Sequence, residues 1–184
     1  LQTFFFTLCT LCLLSACTIK VPYILDVSSE PLEGGFNLTD ATIVYDAMDG
    51  KTVHRVAELF AEDIRRVSDA QVAVEPTLTH GQVIVMGTLE GNALIKQLVK
   101  SGKLDASPIE GGWEQYIIKQ VKNPMEGVDE ALVIAGTDRR GVAYGVFSIS
   151  EMMGVSPFYW WTDVPVKKQS EIYVKADYVS QIPS

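Results

Sequence analysis

Residues 51–68, KTVHRVAELFAEDIRRVS, place Val53, Val56, Ala57, Phe60, Ile64 and Val67 on one face of a helix. A stripe that apolar must be covered by a second layer of structure. The stretch before it, ATIVYDA (41–47), alternates into a short apolar run and reads as a strand, closed by Asp49-Gly50. Strand then amphipathic helix is the unit of a helix-covered sheet, and the rest of the chain repeats it.

QVAVE (71–75) reads as a strand stopped by Pro76, and QVIVMG (82–87) as another. NALIKQLVKSG (92–102) is an amphipathic helix with Leu94, Ile95, Leu98 and Val99 inward and Gly102 at its C-terminal cap. WEQYIIKQV (113–121) reads as a strand, with Asn123-Pro124 opening the turn after it. ALVIAG (131–136) is a buried strand, residues 140–154 a helix stopped by Gly154, and EIYVKAD (171–177) a late edge strand. The order β-α-β-β-α-β-β-α-β predicts an α/β (α+β) fold, a mixed sheet with about three helices. With 184 residues, 47% of them hydrophobic and 21% charged, the chain has room for one globular domain of about 150 residues.

The net charge of −8 argues against a nucleic-acid partner, and Lys167-Lys168 reads as a solvated turn. Neither GxxxxGK(S/T) nor GxGxxG occurs. MGTLEGNALI sets a Gly-Thr turn between strand and helix, as anion sites do, but Glu90 would repel an anion. The two histidines, His54 and His80, have no metal-ligand spacing and read as surface residues. Ser148 and Ser150 lack the elbow and the histidine that a nucleophile needs. No metal and no cofactor is expected.

The N-terminus differs in kind. Leu1 to Ile19 carries no charge, and its apolar core from Phe4 to Leu14 spans roughly 16 Å as a helix, about half a bilayer core. That is the length of a signal peptide. Leu14-Ser15-Ala16-Cys17 resembles the bacterial lipobox, which implies cleavage before Cys17 and lipidation of its thiol. All three cysteines (Cys9, Cys12, Cys17) lie in this segment, so a mature chain would keep one, taken up by lipid. The expected divisions are a lipoprotein signal peptide at 1–16, a tether at 17–35, an α/β domain at 36–180 and the start of a further region at 181–184. The expected location is the bacterial cell envelope, by a lipid anchor.

Gly136 to Lys168 carries the most information: GTDRRGVAYGVFSISEMMGVSPFYWWTDVPVKK. Gly136 and Gly141 bracket a charged turn where positive φ or close backbone approach is expected. Asp138 is placed to cap the next helix, where negative charge is favourable by about 0.3–1 kcal/mol. Gly145 within a helix costs roughly 1 kcal/mol against alanine, which calls for something packed closely on it. Phe158, Tyr159, Trp160 and Trp161 then follow one another, and no period buries four successive side chains in one core. At least one of Trp160 and Trp161 is expected at the surface, toward a sugar or another domain.

This stretch resembles the N-terminal region of glycoside hydrolase family 115, the xylan α-1,2-glucuronidases. The resemblance rests on ALVIAGTDRRGVAYGVFSISEMMGVSPFYWWTDVPVKK, with VIVMGTLEGNALIKQLVKSGKLD and GGWEQYIIKQV beside it, and runs from about residue 40 to residue 180. The SPFYWWTDVP run selects this family; GTDRRGVAYG alone also suits N-terminal domains of β-hexosaminidase-like enzymes. The resemblance implies an inverting hydrolase that removes 4-O-methylglucuronic acid from glucuronoxylan, with paired carboxylates about 6.5–9.5 Å apart on a TIM-type barrel. Such a barrel needs at least about 200 residues. The barrel is therefore absent from this chain, no catalytic residue is assigned within it, and the chain alone is expected to be inactive. Tyr159, Trp160, Trp161 and Asp163 are the residues implied to meet the barrel or the sugar, the barrel of the same polypeptide and a plant polysaccharide being the expected partners. Two other readings remain open: the matching domain of another hexosaminidase- or glucuronidase-type hydrolase, and a free-standing surface lipoprotein that binds glycan through Tyr159, Trp160 and Trp161.

Overall fold

The computed structural model describes residues 23–159 and 165–181. Its strands are β1 (Tyr23–Ser28), β2 (Phe36–Asn37), β3 (Thr42–Val44), β4 (Val74–Glu75), β5 (Gly81–Thr88), β6 (Tyr116–Met125), β7 (Val128–Gly136) and β8 (Tyr173–Val179). Its helices are α1 (Lys51–Ser68), α2 (Ala93–Lys100) and α3 (Arg139–Met152). The strands form one mixed sheet in the order β1-β8-β6-β7-β5-β3-β4, with β2 also paired to β8. β7, β5, β3 and β4 run parallel, whereas β6, β8 and β1 join as antiparallel neighbours. From β3 onward, the α/β order is the one the sequence pattern predicts.

Both faces of the central strands are buried, so their sequences are continuous apolar runs. On one face, Ile84 and Met86 of β5 and Leu132 and Ile134 of β7 pack with Phe60 and Ile64 of α1 and Val142, Val146 and Ile149 of α3. On the other, Val83, Val85, Val133 and Ala135 pack with Ile95 and Leu98 of α2. The six apolar residues assigned to the inner face of α1 are all buried. Asn92 caps α2 through Ile95 N at 3.1 Å, and its amide also donates to the Met86 carbonyl at 3.0 Å, tying that helix to β5.

Four readings change. β8 is interior rather than at an edge, because β1 pairs with it along its whole length. β1 lies in the segment read as a tether; its signal was the alternation that turns Leu25 and Val27 to the core and leaves Ile24 and Asp26 exposed. β6 continues through Asn123-Pro124 by a bulge, with Asn123 at φ 47°, and the turn falls instead at Glu126-Gly127. Val99 of α2 is exposed, since that short helix meets the core through Ile95 and Leu98, with Leu94 partly buried beside them.

Candidate functional site

The turn between β7 and α3 is held by its own sequence. Asp138 Oδ1 accepts from Arg140 N at 2.8 Å and Gly141 N at 2.9 Å, capping α3. Its other oxygen accepts from Glu114 N at 2.9 Å. Burial would raise the Asp138 pKa, but the N–H groups of Gly141, Glu114 and Arg140 outweigh it and hold the carboxyl below its ordinary value. Thr137 adds a second tie, accepting from Gln115 N at 3.1 Å on Oγ1 and donating its own N–H to Gln115 O at 2.9 Å. The corner therefore caps a helix and clamps the segment ahead of β6.

Close approach, not positive φ, explains the glycines here. A Cβ on Gly141 would lie 2.3 Å from the Gln115 carbonyl oxygen, and one on Gly136 would lie 2.4 Å from Val142 N. Gly145 is where α3 rests on the sheet: its Cβ would be 2.9 Å from Ile134 Cγ2 and 3.1 Å from the Tyr116 ring. The clamped segment takes the strain instead. Glu114 sits at φ 57°, a conformation that costs a non-glycine residue on the order of 1 kcal/mol, and Trp113 beside it is left 77% exposed.

The far end of α3 builds a different site. Gly154 ends the helix at φ 95°, and the Ser156-Pro157 turn brings Tyr159 N within 2.9 Å of Ser156 O. The Tyr159 ring then lies under the Arg66 guanidinium, 5.0 Å from its centroid, a contact worth about 0.5–2 kcal/mol. Arg66 pairs with Asp63 at 2.7 Å and Glu62 at 3.1 Å. Tyr159, Arg66 and Asp63 line a cavity of about 280 Å³ with Phe147, Ser150 and Val155. Burial raises the Asp63 pKa above its ordinary value against the opposing pull of Ser150 and Arg66. The deeply buried Ser150 hydroxyl completes no hydrogen bond among the described residues. The cavity thus holds a buried acid paired with Arg66 and, close enough to lower its pKa, a loosely held hydroxyl.

Of the residues singled out in the sequence, the structure places Tyr159 here; Trp160, Trp161, Asp163 and Cys17 lie outside the described residues. Asp63, Arg66 and Ser150 were not anticipated. Asp63 stands within the apolar stripe of α1 at 6% exposure, and a charged residue in such a stripe is the signal that could have found it.

A third concavity opens beyond the carboxyl ends of β3, β5 and β7, where α1 and α3 leave to one face and α2 to the other. Crevices of this kind bind ligands in many open sheets. Here the buried Asp49 carboxylate accepts from both Thr88 N and Thr88 Oγ1 at 2.5 Å, and Arg139 Nε donates to Asp49 O at 3.2 Å. Thr88 Oγ1 also accepts from Gly91 N at 2.8 Å, so the Gly-Thr turn is occupied by protein groups, and Glu90 lines its mouth. The network braces the sheet end. Among the described residues no cluster of three His, Cys, Asp or Glu could hold a metal ion, and both His54 and His80 are exposed.

Comparison with known proteins places this fold. No protein-family model matches the chain, and no curated protein matches it. A family 115 4-O-methyl-α-glucuronidase with specificity for decorated arabinogalactans matches with a TM-score of 0.60 at 23% identity, over 76% of this chain and 17% of its own. A family 84 glycoside hydrolase matches at TM-score 0.47 and 12% identity, over 86% of this chain and 23% of its own. The family 20 β-N-acetylhexosaminidase of Streptomyces coelicolor A3(2) matches at 0.45 and 14%, over 86% and 24%. The mixed eight-stranded sheet with three helices is thus a fold found as one part of a glycoside hydrolase, and the chain spans about a sixth of the length of the first of these proteins.

Proposed function

We propose that this chain is the N-terminal accessory domain of a glycoside hydrolase of the family 115 type, which removes 4-O-methylglucuronic acid side chains from glucuronoxylan or a related plant polysaccharide. The observation that carries the reading is the fold likeness to the family 115 enzyme over 76% of the chain, joined to the resemblance of the GTDRRG-to-DVPVKK sequence to that family. The surface of α3 supports a docking role. Phe147 and Met152 stand 43–45% exposed on its outer face, and Phe158 beyond it is 65% exposed. Exposed apolar side chains grouped on one helix and just beyond its end suit burial by another domain. In this reading a catalytic barrel of the same polypeptide covers that face, and Tyr159, Trp160, Trp161 and Asp163 lie at its margin. The general acid and base belong to the barrel.

Hydrolysis assays test this. The 184-residue chain releases no 4-O-methylglucuronic acid from glucuronoxylan or decorated arabinogalactan at any pH, because in this reading the general acid and base belong to the barrel. A polypeptide in which this domain is joined to its catalytic barrel does release it. Turnover by the 184-residue chain that a point mutation within it abolishes, or none by the longer polypeptide, overturns the proposal. Anchoring is a separate part of the reading: Cys17 carries lipid and holds the protein to the cell envelope. Mass spectrometry of the chain from a Gram-negative host finds acyl chains on Cys17, and Cys17→Ala leaves the detergent phase. A soluble wild type with an unmodified thiol rules the anchor out.

A further inference from the structure

Trp113 borders the crevice above Asp49 on one side and faces a second hollow on the other. Trp113 is the large apolar side chain with 77% exposure that the GTDRRG corner holds out from the sheet. It borders a cleft of about 520 Å³ whose other walls are Tyr144 and, deeper, Tyr116 and Tyr178. We propose that this cleft binds a neutral sugar ring, making it a glycan subsite at the opposite end of α3 from Tyr159.

The walls are preorganised. Arg140 pairs with Glu114 at 2.7 Å and donates to the Tyr144 hydroxyl at 3.3 Å, fixing one wall to the segment that carries Trp113. Below, the Tyr116 hydroxyl is 2.8 Å from Ser148 Oγ, and its ring meets that of Tyr178 in a tilted contact with centroids 5.9 Å apart. The cleft volume falls within the range of about 300–1,000 Å³ usual for small-ligand sites. Aromatic faces offer stacking to the C–H face of a pyranose, and little ordering is needed for the tyrosine rings already held in place.

The rim chemistry is what sugar hydroxyls require. Ser180 Oγ accepts from Tyr116 N at 2.8 Å, which leaves its O–H to donate, and Glu114 keeps a second carboxylate oxygen to accept. The Glu114–Arg140 pair leaves no uncompensated charge between these groups at the rim, so a neutral ring is favoured over an acidic one. A flat protein-docking face would not need opposed rings with a donor and an acceptor between them. The inference goes beyond the hydrolase reading and holds whether or not the chain belongs to such an enzyme.

The test is NMR of the whole 184-residue chain labelled with ¹⁵N, titrated separately with xylohexaose and with β-1,4-galactotetraose. The three tryptophans give separate indole N–H signals, and Trp113→Phe assigns the one concerned. The Trp113 indole moves saturably with at least one sugar. Trp113→Ala and Tyr144→Ala each weaken that binding by about tenfold or more, while Val99→Ala on α2 leaves it unchanged. The amide spectrum of each variant reports that it is folded, and Trp113→Phe, which keeps a ring, binds with intermediate affinity. No movement of the Trp113 signal with either sugar up to its solubility limit overturns the proposal. So does a response that survives Trp113→Ala.

Discussion

The two ends of α3 are built on opposite principles. At its start, the GTDRRG corner is tied by its own polar groups, and Asp138 alone takes three backbone N–H groups. At its end, Asp63 is buried with its pKa raised and the Ser150 hydroxyl completes no hydrogen bond among the described residues. The same helix thus carries a closed, stabilising joint and an open, polar cavity. A domain that must hold its shape while presenting a surface needs both, and it separates them by the length of one helix.

Substitutions sharpen that contrast. The largest effect is expected for Gly141→Ala, whose added methyl would sit 2.3 Å from a backbone oxygen that cannot rotate away. A loss of about 3 kcal/mol in urea denaturation is expected, and a loss below about 1 kcal/mol would show that the corner yields. Asp138→Ala removes the helix cap and the tie to Glu114 together, for a loss of about 1–2 kcal/mol by the same measurement.

The pH dependence of stability should separate the ends by sign. Asp138 has a lowered folded-state pKa, so its contribution is complete above the ordinary carboxyl value and is lost as pH falls through the folded value. Asp63 has a raised one, so its contribution is complete below the ordinary value and is lost as pH rises through the folded value. Asp138→Asn therefore flattens the acid fall in stability, and Asp63→Asn flattens a decline on the alkaline side of the ordinary carboxyl range. Denaturation midpoints across pH for the two variants would break the comparison if both slopes changed in the same direction. The smallest effect belongs to Ser150→Ala. Removing a buried hydroxyl without a completed bond should leave stability within about 1 kcal/mol of the parent, whereas a larger loss would mean that the hydroxyl has a partner in solution.

Local rules made much of this protein legible. The apolar period of residues 51–68, the Asp138 cap, the demand for close packing at Gly145 and the order of elements from β3 to β8 were all readable, because each depends on neighbours within a few residues. Partial burial misled where it was judged from sequence alone: Val99 has the right spacing for an inward residue, but α2 is too short to bring it to the sheet.

What only the tertiary structure decided is pairing across distance. β8 became an interior strand because β1, about 150 residues earlier, lies along it, and nothing within either segment states that partnership. Gly141 is required because Gln115 approaches from another element, not because of its own φ. The cavity at Tyr159 joins Asp63 and Arg66 of α1 to Ser150 of α3, and the Trp113 cleft joins β6, α3 and β8. Sequence determined the elements and their apolar faces, since period and capping are local; the sites formed where the closing of the sheet brought distant side chains together, and a linear pattern holds no measure of that distance.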